Sequence, residues 1–184
     1  EESIFQSGLN EVSESSESDI QISVVSIEEN SIGSENKSPY VVPPGIPRDI
    51  DNTTIVQRRT NEQSLQICID DLSDGDGRAI FKESNFDLIN YGRIKMFIHA
   101  EPKDGEILDD NEINAFLRFG SDYENNYYEI ELPLKITRPE LLNQSSSNLS
   151  RLVWPQENEI NFSIDELLSL KSERNREKID INSP

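Results

Sequence analysis

Arg93-Ile-Lys-Met-Phe-Ile-His-Ala-Glu101 places Ile94, Met96, Ile98 and Ala100 at alternate positions. Side chains of an extended strand alternate between faces, so this spacing gathers the four on one side. A polar stretch from Lys103 to Asn111 follows, and Ile113, Ala115, Leu117 and Phe119 then repeat the period. A second turn, Gly120-Ser-Asp-Tyr-Glu-Asn-Asn126, leads to Tyr128, Ile130, Leu132, Leu134 and Ile136. Three period-two runs joined by turn residues predict an antiparallel meander over 91–136. Arg118, Glu129, Glu131 and Lys135 fall on the other face, so one side packs and the other meets water.

Outward from this block, Ser64-Leu-Gln-Ile-Cys-Ile-Asp70 reads as a strand ending in the turn-forming run Asp70 to Gly77. Arg78–Lys82 and Phe86–Asn90 read as short extended pieces or an irregular crossover. Residues 1–38, rich in Ser, Glu and Asn, form an arm whose composition favours disorder except for one strand. There Ile20, Ile22 and Val24 alternate, and Val25 and Ile27 continue on the opposite parity, which predicts a bulge. Residues 39–62 form a Pro-rich connector. Proline lacks an amide donor and fixes φ, so the connector is expected to cross the surface as extended chain. A proline-ligand motif is the functional alternative. Residues 63–184 form the core, with last extended pieces at Arg151–Pro155 and Glu159–Phe162. Ser163-Ile-Asp-Glu166 then fits a capping box, opening a helix over about 164–177. The expected fold is mainly β, an antiparallel β-sandwich of jelly-roll type with one C-terminal α-helix, in one structural unit.

A chain of 184 residues can bury roughly 70% of its unfolded surface and needs no covalent staple. Its 17 basic and 36 acidic residues give a net charge of −19, a field that repels nucleic acid and anionic lipid. Arg58-Arg59 and the mixed run Lys171–Lys178 read as solvated faces. With Cys68 alone no intrachain disulfide forms, which fits a cytosol or a bacterial extracytoplasmic setting. No apolar run approaches the roughly 20 residues of a membrane-spanning helix. The strands show no aromatic girdles of a transmembrane barrel. The sequence opens on Glu-Glu-Ser, so a fragment or a processed product is expected.

Candidate chemistry is sparse. Asp70, Asp71, Asp74 and Asp76 are dense enough to hold calcium through oxygen ligands, with a plain acidic turn as the simpler reading. Ala79 stands where an EF-hand loop counted from Asp74 requires glycine. His99 is the one histidine, and period two puts it on the solvent side of its strand with Lys95 and Glu101. Zinc clusters and a Ser-His-Asp triad with a nucleophile elbow therefore find no support. Tyr123, Tyr127 and Trp154 are candidates for stacking on sugar rings, against the alternative of packing under a loop or partner.

Whole phrases give the chain a further likeness. They are Tyr40-Val-Val-Pro-Pro-Gly-Ile-Pro-Arg48, Asn61-Glu-Gln-Ser-Leu65, Asp74-Gly-Asp-Gly-Arg-Ala79 and Ile94-Lys-Met-Phe-Ile-His-Ala-Glu101. Arg118-Phe-Gly-Ser-Asp-Tyr-Glu-Asn-Asn-Tyr-Tyr-Glu129, Val153-Trp-Pro155 and Glu157-Asn-Glu159 complete the set. Through them the chain resembles the Sov/SprA family over about residues 40–175. These are the outer-membrane translocons of the type IX secretion system of Bacteroidota, tied also to gliding motility. The resemblance implies a non-catalytic insert, on the extracellular or periplasmic side, braced against the remainder of a large barrel. It implies as partners a smaller outer-membrane barrel and secreted protein cargo, no nucleic acid, and no resident cofactor unless calcium binds. An insert of this kind is expected to bring its termini close together, and to expose an apolar patch or carry conspicuously ordered arms where barrel or partner docks. The alternative is an extracellular carbohydrate-binding β-sandwich, braced by calcium near Asp74 and Asp76.

Overall fold

The computed structural model describes residues 6–7, 18–51, 58–83, 87–122, 125–142 and 147–181. Among these described residues, ten strands follow in chain order. They are β1 (Gln6–Ser7), β2 (Asp19–Ser26), β3 (Ile50–Asp51), β4 (Arg58–Arg59), β5 (Gln63–Asp70), β6 (Ile80–Phe81), β7 (Arg93–Phe97), β8 (Asn114–Gly120), β9 (Tyr127–Pro133) and β10 (Glu159–Ser163). The helices are α1 (Ile27–Asn30), α2 (Leu149–Val153) and α3 (Ile164–Ile181). All pairing is antiparallel: β1 with β6, β2 with β5, β3 with β4, β7 with β10, and β8 with β9. The chain is mainly β with one long C-terminal helix. Among the described residues the strands associate two by two rather than as continuous sheets.

The expected meander is half right. Strands β8 and β9 form the hairpin that the alternation predicts, from Asn114↔Pro133 to Gly120↔Tyr127. Strand β7 instead pairs with β10, from Arg93↔Ser163 to Phe97↔Glu159. The period identifies the strand and leaves its partner open. The chain quits the ladder after Phe97 because the next carbonyls and side chains bond elsewhere. Thr137 N–H donates to the Ala100 carbonyl at 2.8 Å, and His99 Nδ1 lies 2.7 Å from the Val153 carbonyl. Asn111 takes a positive φ of 69° on the way back to β8.

The predicted bulge in the first long strand does not form. Eight consecutive residues of β2 pair with β5, from Asp19↔Asp70 to Ser26↔Gln63. The parity change has a different cause. Val25 turns to the opposite face to pack on the core, and Ile27 opens α1, with Ser26 Oγ accepting from Glu29 N–H. Arg151–Pro155 is likewise not extended, since Leu149–Val153 is a helical turn. The capping serine is as predicted: Ser163 Oγ accepts from Glu166 N–H at 3.3 Å, and α3 runs on to Ile181.

Two apolar clusters hold these pieces. One gathers Tyr40, Val153 and Trp154, with Val25, Ile27, Val41, Phe97, Leu142 and Leu149 around them. The other gathers Ala100, Leu134 and Ile136, with Ile98, Leu108, Ile113, Ala115 and Leu132. Past β9, Leu134, Ile136 and Thr137 are buried while Lys135 is exposed, and side chains serve this backbone. Asn158 Oδ1 accepts from Lys135 N–H, Asn158 Nδ2 donates to the Lys135 carbonyl, and Asp110 Oδ1 accepts from Ile136 N–H, each at 2.8 Å. Buried amides need such partners, and here one fully buried asparagine supplies two of them.

Candidate interaction site

The Pro-rich connector is expected on the surface, but its first residues, 39–43, are found in the core, while 45–47, 49–50 and 58–60 are exposed. Ser38, Pro39, Tyr40 and Pro43 are buried. The reason lies in the phrase Val153-Trp-Pro155. Trp154 is buried and donates from Nε1 to the Val41 carbonyl at 2.7 Å, while Ser150 Oγ donates to the Val42 carbonyl at 2.8 Å. The rings of Tyr40, Phe97 and His99 meet the Trp154 ring edge-on, with centroids 6.1, 6.5 and 5.9 Å away. Edge-to-face pairs of this kind add about 1 kcal/mol each beyond burial. Prolines suit this strap, since its unpaired carbonyls are met by side chains and no ladder amide is required.

His99 is corrected by the same contacts. It lies past the end of β7, half-buried, with Nδ1 on the Val153 carbonyl and Nε2 3.2 Å from Glu101 Oε2. Glu101 Oε2 also accepts from Ser38 N–H at 3.0 Å, tying connector to core. Burial works to raise the Glu101 carboxyl, but the hydrogen bonds from His99 and Ser38 outweigh it, and the group sits below the ordinary glutamate range. Burial also pushes up the Tyr40 hydroxyl, which shares a 2.9 Å hydrogen bond with Ser64 Oγ on β5. These bonds are all internal. They fix a strap.

The other candidates are scattered. Trp154 presents no face to solvent and is no sugar platform. Tyr127 lies under the Arg118 guanidinium, 4.5 Å from its ring centroid, and Arg118 also pairs with Glu129 across the β8–β9 hairpin. Tyr123 lies outside the described residues. Asp70 is engaged by Lys103 Nζ at 2.5 Å. Among the described residues no three His, Cys, Asp or Glu side chains converge as a cation site, so Asp70, Asp74 and Asp76 are not brought together. A shallow groove on α3, lined by Asp165, Leu168, Ser172 and Arg176, touches none of the predicted residues.

What the structure does assemble is an exposed apolar ladder on the β2–β5 ribbon. Ile20 stands opposite Ile69, Ile22 opposite Ile67, and Val24 opposite Leu65. Ile22, Val24, Leu65 and Ile67 are 37%, 57%, 46% and 45% exposed. The reverse face carries Gln21, Ser23, Ser64, Gln66 and Cys68, with Ser23 Oγ donating to Gln66 Oε1 at 3.0 Å. Contiguous exposed aliphatics on a regular element mark a contact surface far more often than isolated ones do. Alternation in both strands was visible in sequence. That the greasy face looks outward was not, because a two-stranded ribbon has no second layer to show which face packs.

The family model described as motility related/secretion protein, SprA_N, matches residues 2–184. The chain belongs to this family. A search of curated proteins found no match. Membership ties the SprA-family chain to motility and secretion, and with them to the cell envelope. No helix among its described residues is long and apolar enough to cross a membrane.

Proposed function

We infer that this chain is a non-catalytic structural and interaction domain of an outer-membrane protein-secretion translocon of the type IX system, serving export and gliding. The observation that carries the reading is the exposed Ile/Val/Leu ladder of β2–β5, in a chain of a motility and secretion family. In this reading transport belongs to the assembly, and the domain contributes shape and contacts. Its partners are the remainder of the translocon barrel, a smaller outer-membrane barrel and the secreted cargo. The internal use of His99 and Trp154 supports a packing role for residues that otherwise invite readings as a base and as a sugar platform.

In cells producing the protein with Val24→Lys and Leu65→Lys, secreted proteins are expected to accumulate behind the outer membrane and gliding to stop, with the protein's envelope abundance unchanged. Asp74→Asn with Asp76→Asn is expected to leave export intact. Wild-type export in the first pair, or lost export in the second, contradicts the reading.

A further inference from the structure

The ribbon offers more than a greasy face. Ile27 N–H donates to the Glu62 carbonyl, which sets the hydrogen-bonded phase of the antiparallel ladder. Counting back in that phase, Val25, Ser23 and Gln21 exchange bonds with β5, and the backbone groups of Val24, Ile22 and Ile20 point away from it. Among the described residues no strand pairs with either outer edge. The edges are not equivalent. Strand β5 is tied to the body by the Tyr40–Ser64 and Lys103–Asp70 contacts, and its side chains are mostly half-buried. Residues Gln21 to Val24 of β2 are exposed on both faces.

Sheet proteins guard free edges with charges, proline, bulges or short strands. Strand β2 runs eight residues without a bulge, and from Ile20 to Ser26 it carries no charge and no proline. A two-stranded ribbon is also marginal in water and needs a third strand or a covering layer. The charges sit at the ribbon's ends: Asp19 and Asp71 at one, beside Asp70 that is already paired with Lys103, and Glu28, Glu29 and Glu62 at the other. A second copy would bring acid against acid on molecules of net charge −19 each. The complement of this surface is apolar at alternate positions in its middle and basic at both ends.

We propose that the free edge of β2, Ile20 to Val24, is a strand-addition site. It takes an extended polypeptide segment with alternating aliphatic residues and Lys or Arg at its two ends. The added strand pairs its backbone with the outward groups of Ile20, Ile22 and Val24 and continues their aliphatic face, while its basic ends meet the acidic ends of the ribbon. The inference stands on the ribbon's geometry and does not require the secretion reading.

The probe is a synthetic peptide of alternating Val and Thr with a Lys pair at each end, titrated onto the 184-residue chain. Binding is followed by fluorescence anisotropy and amide exchange. The peptide is expected to bind and to slow exchange at Ile20, Ile22 and Val24, with weaker binding at high salt. Ile22→Lys, which installs an edge guard, is expected to weaken it about tenfold or more, the loss of one buried aliphatic contact. Ile107→Lys, at a site 91% exposed and away from the ribbon, is expected to bind as wild type. Circular dichroism of both variants confirms that the fold survives. Equal binding of a scrambled or Glu-flanked peptide overturns the proposal. So does a concentration-dependent dimer using this edge, or uptake of phosphatidylcholine vesicles that Ile22→Lys abolishes while the peptide does not bind.

Discussion

Asn158 and Glu101 show how much of this fold hangs on single polar groups inside it. Asn158 is fully buried and serves both the amide and the carbonyl of Lys135. Asn158→Ala strands both, and each unmet buried group costs about 1–3 kcal/mol. A loss of about 2–4 kcal/mol is expected in urea unfolding, a large part of the stability of a domain this size. Glu101 provides a pH signature. Its carboxyl titrates below the ordinary range in the folded chain, so its ionised form favours folding. That contribution is complete above the unfolded glutamate value and is lost as pH falls through the folded one. Glu101→Gln is therefore expected to lower stability at neutral pH and to flatten its decline on acidification, read from unfolding curves across that range. Neither role was legible in sequence. Asn158 sits in a polar turn 23 residues from Lys135, and His99 and Glu101 share a parity that reads as solvent-facing. Asn158 follows the apolar phrase Val153-Trp-Pro155 by three residues, and that nearness to a tryptophan is the one sign of its depth.

At the scale of elements, local pattern located the long strands and chain separation hid their partners. The β8–β9 hairpin was legible because its turn joins two runs of matched period. The β7–β10 pair was not, since nothing in Arg93–Phe97 distinguishes β10 from the nearer β8 as a partner. The connector was misplaced because proline content predicts an extended chain and says nothing of depth. Gly120 gives this scale its test. A methyl group there would sit 2.1 Å from the Asn126 carbonyl oxygen and 2.5 Å from the Tyr127 Cα, backbone atoms that cannot step aside. Gly120→Ala is expected to cost about 1–3 kcal/mol by forcing the hairpin apart, the usual range for overpacking. Thermal unfolding checks the loss. Amide exchange should place the damage first in Phe119, Gly120 and Tyr127, with β2–β5 unaffected. An unchanged melting temperature would mean that the turn relaxes freely.

The whole molecule divides its apolar residues between an inside and an unmet outside. The strap around Trp154, the cluster at Leu134, and Ile160, Ile164 and Leu167 of β10 and α3 make up the inside. On the outside, Ile32, Ile89, Ile107 and Leu141 are exposed at separate places, while Ile22, Val24, Leu65 and Ile67 form a paired ladder on one ribbon of a strongly acidic chain. Contiguous exposed aliphatics mark a contact surface, and in the reading proposed above the cover belongs to the working assembly. The most direct measurement is amide exchange at Ile20, Ile22 and Val24, in the 184-residue chain alone and in the protein held in native envelopes. The account predicts fast exchange in the isolated chain and at least about tenfold slower exchange in the envelope, as ladder bonding of an open edge requires. Equal rates in the two states would contradict it.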